Sequence, residues 1–397
     1  TLRFSDAILD GILGTGFSGE LRPSALRLIR LVNSLSKPII SIDIPSGVEA
    51  DTGIVGDAAI NATCTVTLGL PKIGHLICPG AEHVGKLIID DIGIPQKLLN
   101  DDIHQTLLDD EIAKTFLPAR AKDAYKGSVG KILVIAGSRG MTGAACLASM
   151  SALKVGAGIV TLATPDSLNE VYEAKLTEVI TAPLPEIITG VIAGNKVTPI
   201  ILDLAEKADA ILIGPGLGRE KETLELVQKI VSAVDKPLVL DADAIFAFNG
   251  KAEELKSCKQ IPILTPHLGE LGLLLGMTVS DLRKNLVENV RKAAQDYRAI
   301  IVAKSECTIV AYPNGEIFIS AVGNSGMATA GSGDVLAGAI AGLIKQTPFA
   351  PLAGVYLHGT AGNISASTKC EGLTASDIME NLPSAIYKLR TIQKGGN

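Results

Sequence analysis

The stretch Gly323–Gly338 reads Gly-Asn-Ser-Gly-Met-Ala-Thr-Ala-Gly-Ser-Gly-Asp-Val-Leu-Ala-Gly, and it carries most of the argument for the fold. Every residue from Gly326 to Gly333 except Met327 is small, and Asp334 then opens an apolar segment typical of a helix. Glycines let backbone N–H groups approach a phosphate, and a helix N-terminus adds a favourable dipole. A glycine-rich turn whose aspartate caps a helix has the same pattern, so this motif alone leaves both interpretations open.

Around this motif, short apolar runs alternate with longer helical segments, which is typical of parallel sheets covered by helices. A helix is predicted at Pro23–Leu35, with Leu28, Leu31, Val32 and Leu35 on one buried face. The turn Pro313–Glu316 predicts a hairpin. The predicted strands are Ala7–Leu13, Ile39–Ile44, Cys64–Leu68, Lys131–Ala136, Gly158–Ala163, Ala210–Ile213, Leu238–Leu240, Ile261–Leu264, Ile300–Ala303, Thr308–Tyr312 and Ile317–Ser320.

The polar, acidic segment Leu98–Asp110 predicts a domain boundary, and a length of 397 residues favours two domains. We therefore expect an α/β protein of two Rossmann-like, three-layer αβα domains, at residues 1–108 and 109–397. From Asp334 onward the chain is predicted to be mainly helical.

Composition excludes several classes of function. The net charge is −6 and no long block of like charge occurs, so a basic surface for nucleic acid or an anionic membrane is missing. No run of about 18 apolar residues predicts a membrane span. The six cysteines lie far apart without a Cys-x-x-Cys pair, which favours free thiols in a reducing cytoplasm. We also expect a homo-oligomer, and a natural N-terminus upstream of Thr1.

Other candidate residues follow predicted strands of the second domain, where open α/β sheets bind ligands. Gly214–Gly218 is either a ligand loop or a tight turn, and His267 is either structural or substrate-binding. Asp241 and Asp243 would organise Mg²⁺ through water, or Asp243 would simply cap a helix. Lys304 supplies a charge for phosphate or is only a solvated lysine.

Taken together, these motifs resemble the NAD(P)H-hydrate dehydratases of the ribokinase-like superfamily over roughly Asp109–Leu389. Further matching segments are Lys126–Gly130, Ala136–Ser138, Thr142–Ala144 and Thr265–Glu270, whereas Tyr125 stands where the family usually has histidine. The resemblance implies that ADP phosphorylates hydrated NADH or NADPH, with Asp334 as the catalytic base. It implies a hydrate-binding set of Ala144, Gly216, Gly218, Pro266, His267, Leu268, Gly269, Glu270 and Asp334. It implies an ADP-binding set of Lys304, Ser305, Glu306, Cys307, Thr308, Asn324, Ser325, Gly326, Met327, Ala328, Thr329, Ala330, Gly331, Ser332 and Gly333.

The first third contains a glycine-rich loop, Asp10–Glu20, and Asp43-Ile-Pro-Ser-Gly47, which with Gly69–Gly74 resemble the second half of an NAD(P)H-hydrate epimerase domain. The resemblance assigns K⁺ to Asp10 and Ser46, and proton transfer or substrate contact to Asp43. It assigns the substrate phosphates to Gly14, Thr15, Gly16, Phe17, Ser18, Gly19 and Glu20. The Asn-Asn-Gly-Gly-Asp-Gly segment of that family is not in the sequence, so we expect dehydration of the S epimer without useful epimerisation of the R epimer.

The function predicted from these residues is nicotinamide nucleotide repair that uses ADP, Mg²⁺ and K⁺ and releases AMP and phosphate. A ribokinase-like kinase of a small alcohol is the alternative, because the fold does not fix the function. A non-catalytic adenine-nucleotide module is a third possibility, against which stand Asp334, His267 and Lys304 in one domain.

Overall fold

The computed structural model describes residues 2–98, 104–117, 119–192 and 194–391. It divides into two compact units, residues 1–107 with 283–287 and residues 108–282 with 288–397. Among the described residues, no helix has both the length and the apolar character that a membrane crossing requires.

The described residues of the first unit up to Leu107 contain one α-helix and a parallel sheet. Its elements are β1 (Ile8–Asp10), α1 (Pro23–Asn33), β2 (Ile39–Ile42), β3 (Cys64–Leu68), β4 (Lys86–Asp90) and β5 (Gln105–Leu107). The first four strands pair in the order β1-β2-β3-β4, and all three pairings are parallel. Because parallel strands point the same way, the carboxyl ends of β1, β2 and β3 lie along one edge, where the glycine loop and the Asp43 segment begin.

Three predictions for this unit are wrong in detail. Strand β1 spans only Ile8–Asp10, although a strand was predicted at Ala7–Leu13. Helix α1 buries Ile29 and Val32, whereas Leu28 and Leu31 are 38% and 46% exposed. Val32 is buried as predicted, but the apolar stripe of α1 is wider than the surface that covers it, and Ile29 is buried where Leu28 and Leu31 were expected to be. Strand β2 ends at Ile42 because Asp43 has a φ of 66°, which breaks the extended conformation.

The second unit begins with α2 (Asp110–Phe116) and continues with alternating strands and helices. Its strands are β6 (Lys131–Ile135), β7 (Ile159–Pro165), β8 (Ile180–Leu184), β9 (Glu186–Ile188), β10 (Val191–Ile192), β11 (Ala210–Ile213), β12 (Leu238–Leu240), β13 (Ile263–Leu264), β14 (Ile300–Ala303), β15 (Thr308–Ala311) and β16 (Ile317–Ser320). The other helices are α3 (Thr142–Lys154), α4 (Asn169–Lys175), α5 (Gly194–Lys207), α6 (Lys221–Ala233), α7 (Asp243–Phe246), α8 (Leu268–Leu275), α9 (Val279–Lys284), α10 (Leu286–Tyr297), α11 (Ser332–Leu343), α12 (Ala350–Lys369) and α13 (Ala375–Thr391).

Neighbouring strands in the main sheet of this unit follow the order β16-β15-β14-β13-β12-β11-β6-β7-β8. The pairs from β14 to β8 are parallel, and β15 pairs antiparallel with both β14 and β16. The predicted hairpin is therefore confirmed, as is the α/β class with parallel sheets. The core joins the central strands to α3, α11, α12 and α13 through buried side chains such as Val134, Ile340, Leu357 and Ile378.

Candidate functional site

The glycine-rich segment forms a loop that ends in the first turn of α11. The Asn324 side chain accepts a hydrogen bond from the Gly326 N–H at 3.0 Å, and this contact shapes a short 3₁₀ turn. Gly331 has a φ of 91°, a conformation that glycine adopts readily, and α11 starts at the next residue. The amides that precede α11 are thus collected at a helix N-terminus, the arrangement that binds anions.

Lys304, at the end of β14, brings a positive charge to this loop. An ideal Cβ on Gly333 would lie 2.9 Å from Lys304 Nζ, so the ammonium group lies against the backbone of the loop. The same nitrogen is 2.9 Å from Oδ1 of the buried Asp241, which also accepts a hydrogen bond from Thr265 Oγ1 at 2.6 Å. Burial opposes the charge of Lys304, but the Asp241, Glu270 and Asp334 carboxylates together outweigh it, and the pKa of Lys304 is raised.

Asp334 lies in the first turn of α11 and is surrounded mainly by other acids. Burial and then the Asp241 carboxylate raise the pKa of Asp334, and Lys304 lowers it by less than Asp241 raises it. The net result is a pKa raised to about 7. Asp243 and Glu270 add smaller effects in the same direction as Asp241. A carboxyl group that titrates near neutral pH is matched to the work of a general base.

His267 and Glu270 form a capping box at the start of α8. His267 Nδ1 accepts from the Glu270 N–H at 3.2 Å, and Glu270 Oε2 accepts from the His267 N–H at 2.9 Å. Glu270 thus caps the first turn of α8. The His267 side chain is 60% exposed although its Nε2 lies 3.4 Å from Glu270 Oε1, and its backbone bridges to Lys304.

Asp243 does not cap a helix, which was one of the two roles predicted for it. Its Oδ2 accepts from the Gly218 N–H at 2.9 Å, and its Oδ1 accepts from Arg219 Nε at 2.8 Å. The carboxylate therefore holds the Gly214–Gly218 loop rather than capping α7, the helix that begins at Asp243. Arg219 also lies 4.3 Å from the centroid of the Phe246 ring. A Cβ on Gly216 would come within 3.0 Å of the Ala144 Cβ, which places α3 against the same loop.

Two further predicted positions are the segment Lys304–Thr308 and Tyr125. Cys307 is buried, and its carbonyl accepts from Ser305 Oγ at 2.5 Å, so Lys304–Thr308 forms a tight turn between β14 and β15. Tyr125 is 69% exposed and its backbone pairs with Ser128, away from any of the contacts described above. Sequence reasoning missed His358, which contacts Ser332, and Arg219, whose only signal was its place directly after the glycine loop.

In the first unit, Asp10 and Ser46 are brought together as predicted. Asp10 is 2% exposed, and its oxygens accept from Ser46 Oγ at 2.6 Å, Ser46 N at 2.9 Å and Ser41 Oγ at 2.8 Å. Ser46 Oγ also lies 3.2 Å from the Leu13 carbonyl oxygen. A carboxylate, a hydroxyl and a carbonyl thus converge, and such oxygen donors suit a hard cation.

Asp43 lies at the edge of the same sheet in a strongly hydrogen-bonded setting. Its Oδ1 accepts from Lys72 Nζ, from the Leu68 N–H at 3.0 Å and from Thr67 Oγ1 at 3.1 Å. Burial raises the pKa of Asp43, but the Leu68 and Lys72 contacts outweigh it, so the pKa is lowered. His75 Nδ1 accepts from the Lys72 N–H, so its Nε2 donates to the Asp43 carbonyl oxygen at 2.8 Å.

The Gly14–Glu20 loop is open on its outer side. A Cβ on Gly14, Gly16 or Gly19 would meet no atom within 4 Å. The Gly19 N–H donates to Glu49 Oε1 at 2.8 Å, so one backbone donor of this loop already binds a carboxylate. Across the described part of the chain, no group of three or more His, Cys, Asp or Glu side chains forms a ready metal site.

The chain matches two family models. Residues 132–384 match the NAD(P)H-hydrate dehydratase family, and residues 2–74 match the family of YjeF-related protein N-termini. The bifunctional NAD(P)H-hydrate repair enzyme Nnr of Moorella thermoacetica is 39% identical over 398 residues, covering 99% of this chain and 74% of that protein. The enzyme of the same name from Thermofilum pendens is 40% identical over 393 residues, covering 98% and 74%.

Two solved structures share the fold of most of the chain. The ADP/ATP-dependent NAD(P)H-hydrate dehydratase of Bacillus subtilis, co-crystallised with ATP/Mg²⁺, is 28% identical with a TM-score of 0.60 and covers 72% of this chain and 98% of its own. A ribokinase-like superfamily protein of Enterococcus faecalis is 27% identical with a TM-score of 0.62, covering 72% and 96%. The predicted resemblance is confirmed, and this chain belongs to the family of bifunctional NAD(P)H-hydrate repair enzymes.

Proposed function

We propose that the second unit dehydrates hydrated NADH and NADPH with ADP as the phosphoryl donor, releasing AMP and phosphate. The observation that carries this proposal is Asp334, a carboxyl group with a pKa of about 7 in the first turn of α11, beside the cation of Lys304. The candidate general base, Asp334, and the anion-binding helix N-terminus at Ser332 lie within one turn of α11. That combination suits phosphoryl transfer to a hydroxyl group.

ADP would lie along the loop Asn324–Gly333 and the turn Lys304–Thr308. The amides of Gly331, Ser332 and Gly333 would stabilise charge on the transferring phosphoryl group, and Lys304 would add a point charge. Support comes from the close approach of Lys304 Nζ to Gly333 and from the helix N-terminus at Ser332. We propose ADP, and not ATP, as the nucleotide that binds here.

The hydrate would lie between the loop Gly214–Gly218 and the segment Pro266–Glu270, next to Ala144. The Asp334 carboxylate would take the proton of the C6 hydroxyl as its oxygen bonds to the β-phosphorus and the bridge to AMP breaks. Phosphate then leaves C6 while a proton leaves the neighbouring ring carbon, and the ring double bond is restored. The exposed His267 edge would position the nicotinamide end.

Magnesium fits this site only as a partner of the nucleotide. Both Asp243 oxygens accept hydrogen bonds, and Asp241 is paired with Lys304, so the protein offers few carboxylate oxygens. Mg²⁺ commonly binds one or two carboxylates plus phosphates and keeps several waters. Asp241 would hold it there, and the ion would neutralise phosphate charge.

For the first unit we propose the second half of an epimerase site, with K⁺ held by Asp10 and Ser46. The convergence of Asp10, Ser46 Oγ and the Leu13 carbonyl supports the cation site. The open loop Gly14–Glu20 would bind substrate phosphates, and Asp43 would transfer a proton or contact the substrate. A homo-oligomer remains a prediction, and so does a cytoplasmic location, with which six cysteines outside any disulfide bond agree.

The decisive experiment supplies the protein with hydrated NADH and ADP and follows three products. We expect NADH, AMP and free phosphate in equal amounts. The alternative function, a kinase of a small alcohol, would instead accumulate a stable phosphorylated product from another substrate. Consumption of ADP without NADH formation would overturn the dehydratase proposal.

A further inference from the structure

His358 of α12 contacts the phosphate loop, which is the segment Asn324–Gly333. The contact is made at Ser332. Its Nε2 lies 2.9 Å from the carbonyl oxygen of Ser332 and 3.2 Å from Ser332 Oγ. Ser332 is the first residue of α11, so one imidazole nitrogen touches both polar atoms at the helix start. The local sequence gives no hint of this contact, because the two positions are 26 residues apart.

The contacts fix which nitrogen carries the hydrogen. A carbonyl oxygen only accepts, so Nε2 must be the protonated nitrogen and must donate to Ser332 O. Burial lowers the pKa of His358 to about 4, and the nearby Lys304 charge acts in the same direction. The imidazole is therefore neutral near pH 7, with a single N–H directed at Ser332.

This tautomer has a consequence for the Ser332 hydroxyl group. Because Nε2 already carries its hydrogen, Ser332 Oγ faces it as an acceptor, and the hydroxyl hydrogen points to another acceptor. The bond to the Ser332 carbonyl also fixes the peptide that links Ser332 to Gly333, whose N–H belongs to the phosphate loop. His358 thus controls the direction of one hydroxyl and one amide donor.

We propose that His358 is a positioning residue, which orients the Ser332 hydroxyl and the first turn of α11 toward the phosphate of the bound nucleotide. The inference rests on the proposed function, since it assumes that this loop binds ADP. His358 itself would not touch the reacting atoms.

A pair of amide variants tests the role of Nε2. Glutamine places its amide nitrogen near the position of Nε2, whereas asparagine reaches only the position of Nδ1. We expect His358→Gln to keep kcat/KM for ADP within about threefold of wild type, and His358→Asn to lower it about tenfold, the size of one lost hydrogen bond. The KM for hydrated NADH should stay within about twofold in both variants. His104→Leu, at an exposed histidine outside the site, is the control.

A double-mutant cycle supplies the second measurement. Each of Ser332→Ala and His358→Asn should lower kcat/KM for ADP. The double variant should lose less than the product of the two single losses, because part of the His358 effect passes through the Ser332 hydroxyl group. Equal activity of the Gln and Asn variants, or a KM for hydrated NADH that changes as much as that for ADP, overturns the inference. A wild-type protein that neither binds ADP by calorimetry nor forms NADH overturns the proposed function, and the inference with it.

Discussion

Asp43 in the first unit and Asp334 in the second are both candidates for proton transfer, and their surroundings are opposite. Asp43 accepts hydrogen bonds from Lys72, Leu68 and Thr67, which together lower its pKa. Asp334 is half-buried near several carboxylates with Lys304 as a nearby cation, and its pKa is raised to about 7. The same side chain is thus a stably charged group at one site and a group that titrates near neutral pH at the other.

This difference assigns the two carboxylates to different kinds of work. A general base is most effective when its pKa is close to the working pH, a condition that Asp334 meets. Asp43 is a much weaker base and is better suited to hold a cationic or hydrogen-bonding group in place. Each assignment can be tested by substituting the charged neighbours that set the pKa of Asp334 and of Asp43.

The largest effect is expected from removing the base itself. Asp334→Asn should lower kcat for dehydration by about a thousandfold, a typical loss for a general base, because the amide cannot accept the hydroxyl proton. ADP affinity should remain within about tenfold, because backbone amides and Lys304 bind the phosphates. Turnover is measured by NADH formation and affinity by calorimetry, with the exposed Asp166→Asn as matched control. Near wild-type turnover would remove Asp334 from the mechanism.

The next effect concerns the cation beside Asp334. Lys304→Met should weaken ADP binding by about thirtyfold, as expected for the loss of a charge-assisted contact. It should also lower the free energy of unfolding by about 3 kcal/mol, because the buried Asp241 loses its partner.

The double variant Lys304→Met with Asp241→Asn separates these two effects. It should recover most of the free energy of unfolding, because no buried charge is left unpaired. It should recover little of the ADP affinity, because the Lys304 charge is still missing. Denaturant unfolding and calorimetry on both proteins provide the comparison. Full recovery of ADP binding in the double variant would show that Lys304 acts only through Asp241.

Much of the fold was predictable from the sequence because it follows from local patterns. Continuous apolar runs identified the buried strands β6, β11, β12 and β14, and Pro313–Glu316 identified the hairpin. The short strands β9 and β10 were missed, since two or three residues show no usable periodicity. The buried face of α1 was misplaced because its apolar residues outnumber the positions that are covered.

The parts of the site that consist of glycine-rich loops at strand ends were predictable. Contacts between side chains that are distant in the sequence were less predictable. The loop before α11, Lys304 and the Asp10–Ser46 pair follow from motifs. The choice of Arg219 and Gly218 as partners of Asp243 depends on how the Gly214–Gly218 loop folds back over α7. No local pattern encodes that choice, and the raised pKa of Asp334 depends likewise on groups from several strands.

A smaller effect is expected in the pH dependence of dehydration. With a pKa of about 7, Asp334 is mostly protonated at pH 6, so kcat/KM should fall about tenfold there relative to its plateau at high pH. Asp241→Asn removes a negative charge that raises this pKa, and the curve should therefore move to lower pH. A curve that moves to higher pH, or no acid limb at all, would contradict the assignment of the base.

The smallest effect is expected at the other carboxylate. The lowered pKa of Asp43 contributes stability that is present above its unfolded value, near 4, and is lost as the pH falls through the folded value. Lys72→Met removes one of the contacts that lower the pKa, so it should reduce local stability at pH 7 by about 1 kcal/mol. The Leu68 and Thr67 contacts remain, which limits the loss.

Hydrogen exchange of peptides from residues 39–72 measures this local stability, and a carboxyl NMR titration measures the pKa of Asp43 directly. The difference in exchange between Lys72→Met and wild type should disappear when the pH is low enough to protonate Asp43 in both proteins, because the ion pair then no longer exists. The exposed Lys97→Met is the control for loss of a lysine charge. A difference that persists unchanged at low pH would mean that Lys72 stabilises this edge by packing, and that Asp43 owes its low pKa to the backbone N–H of Leu68.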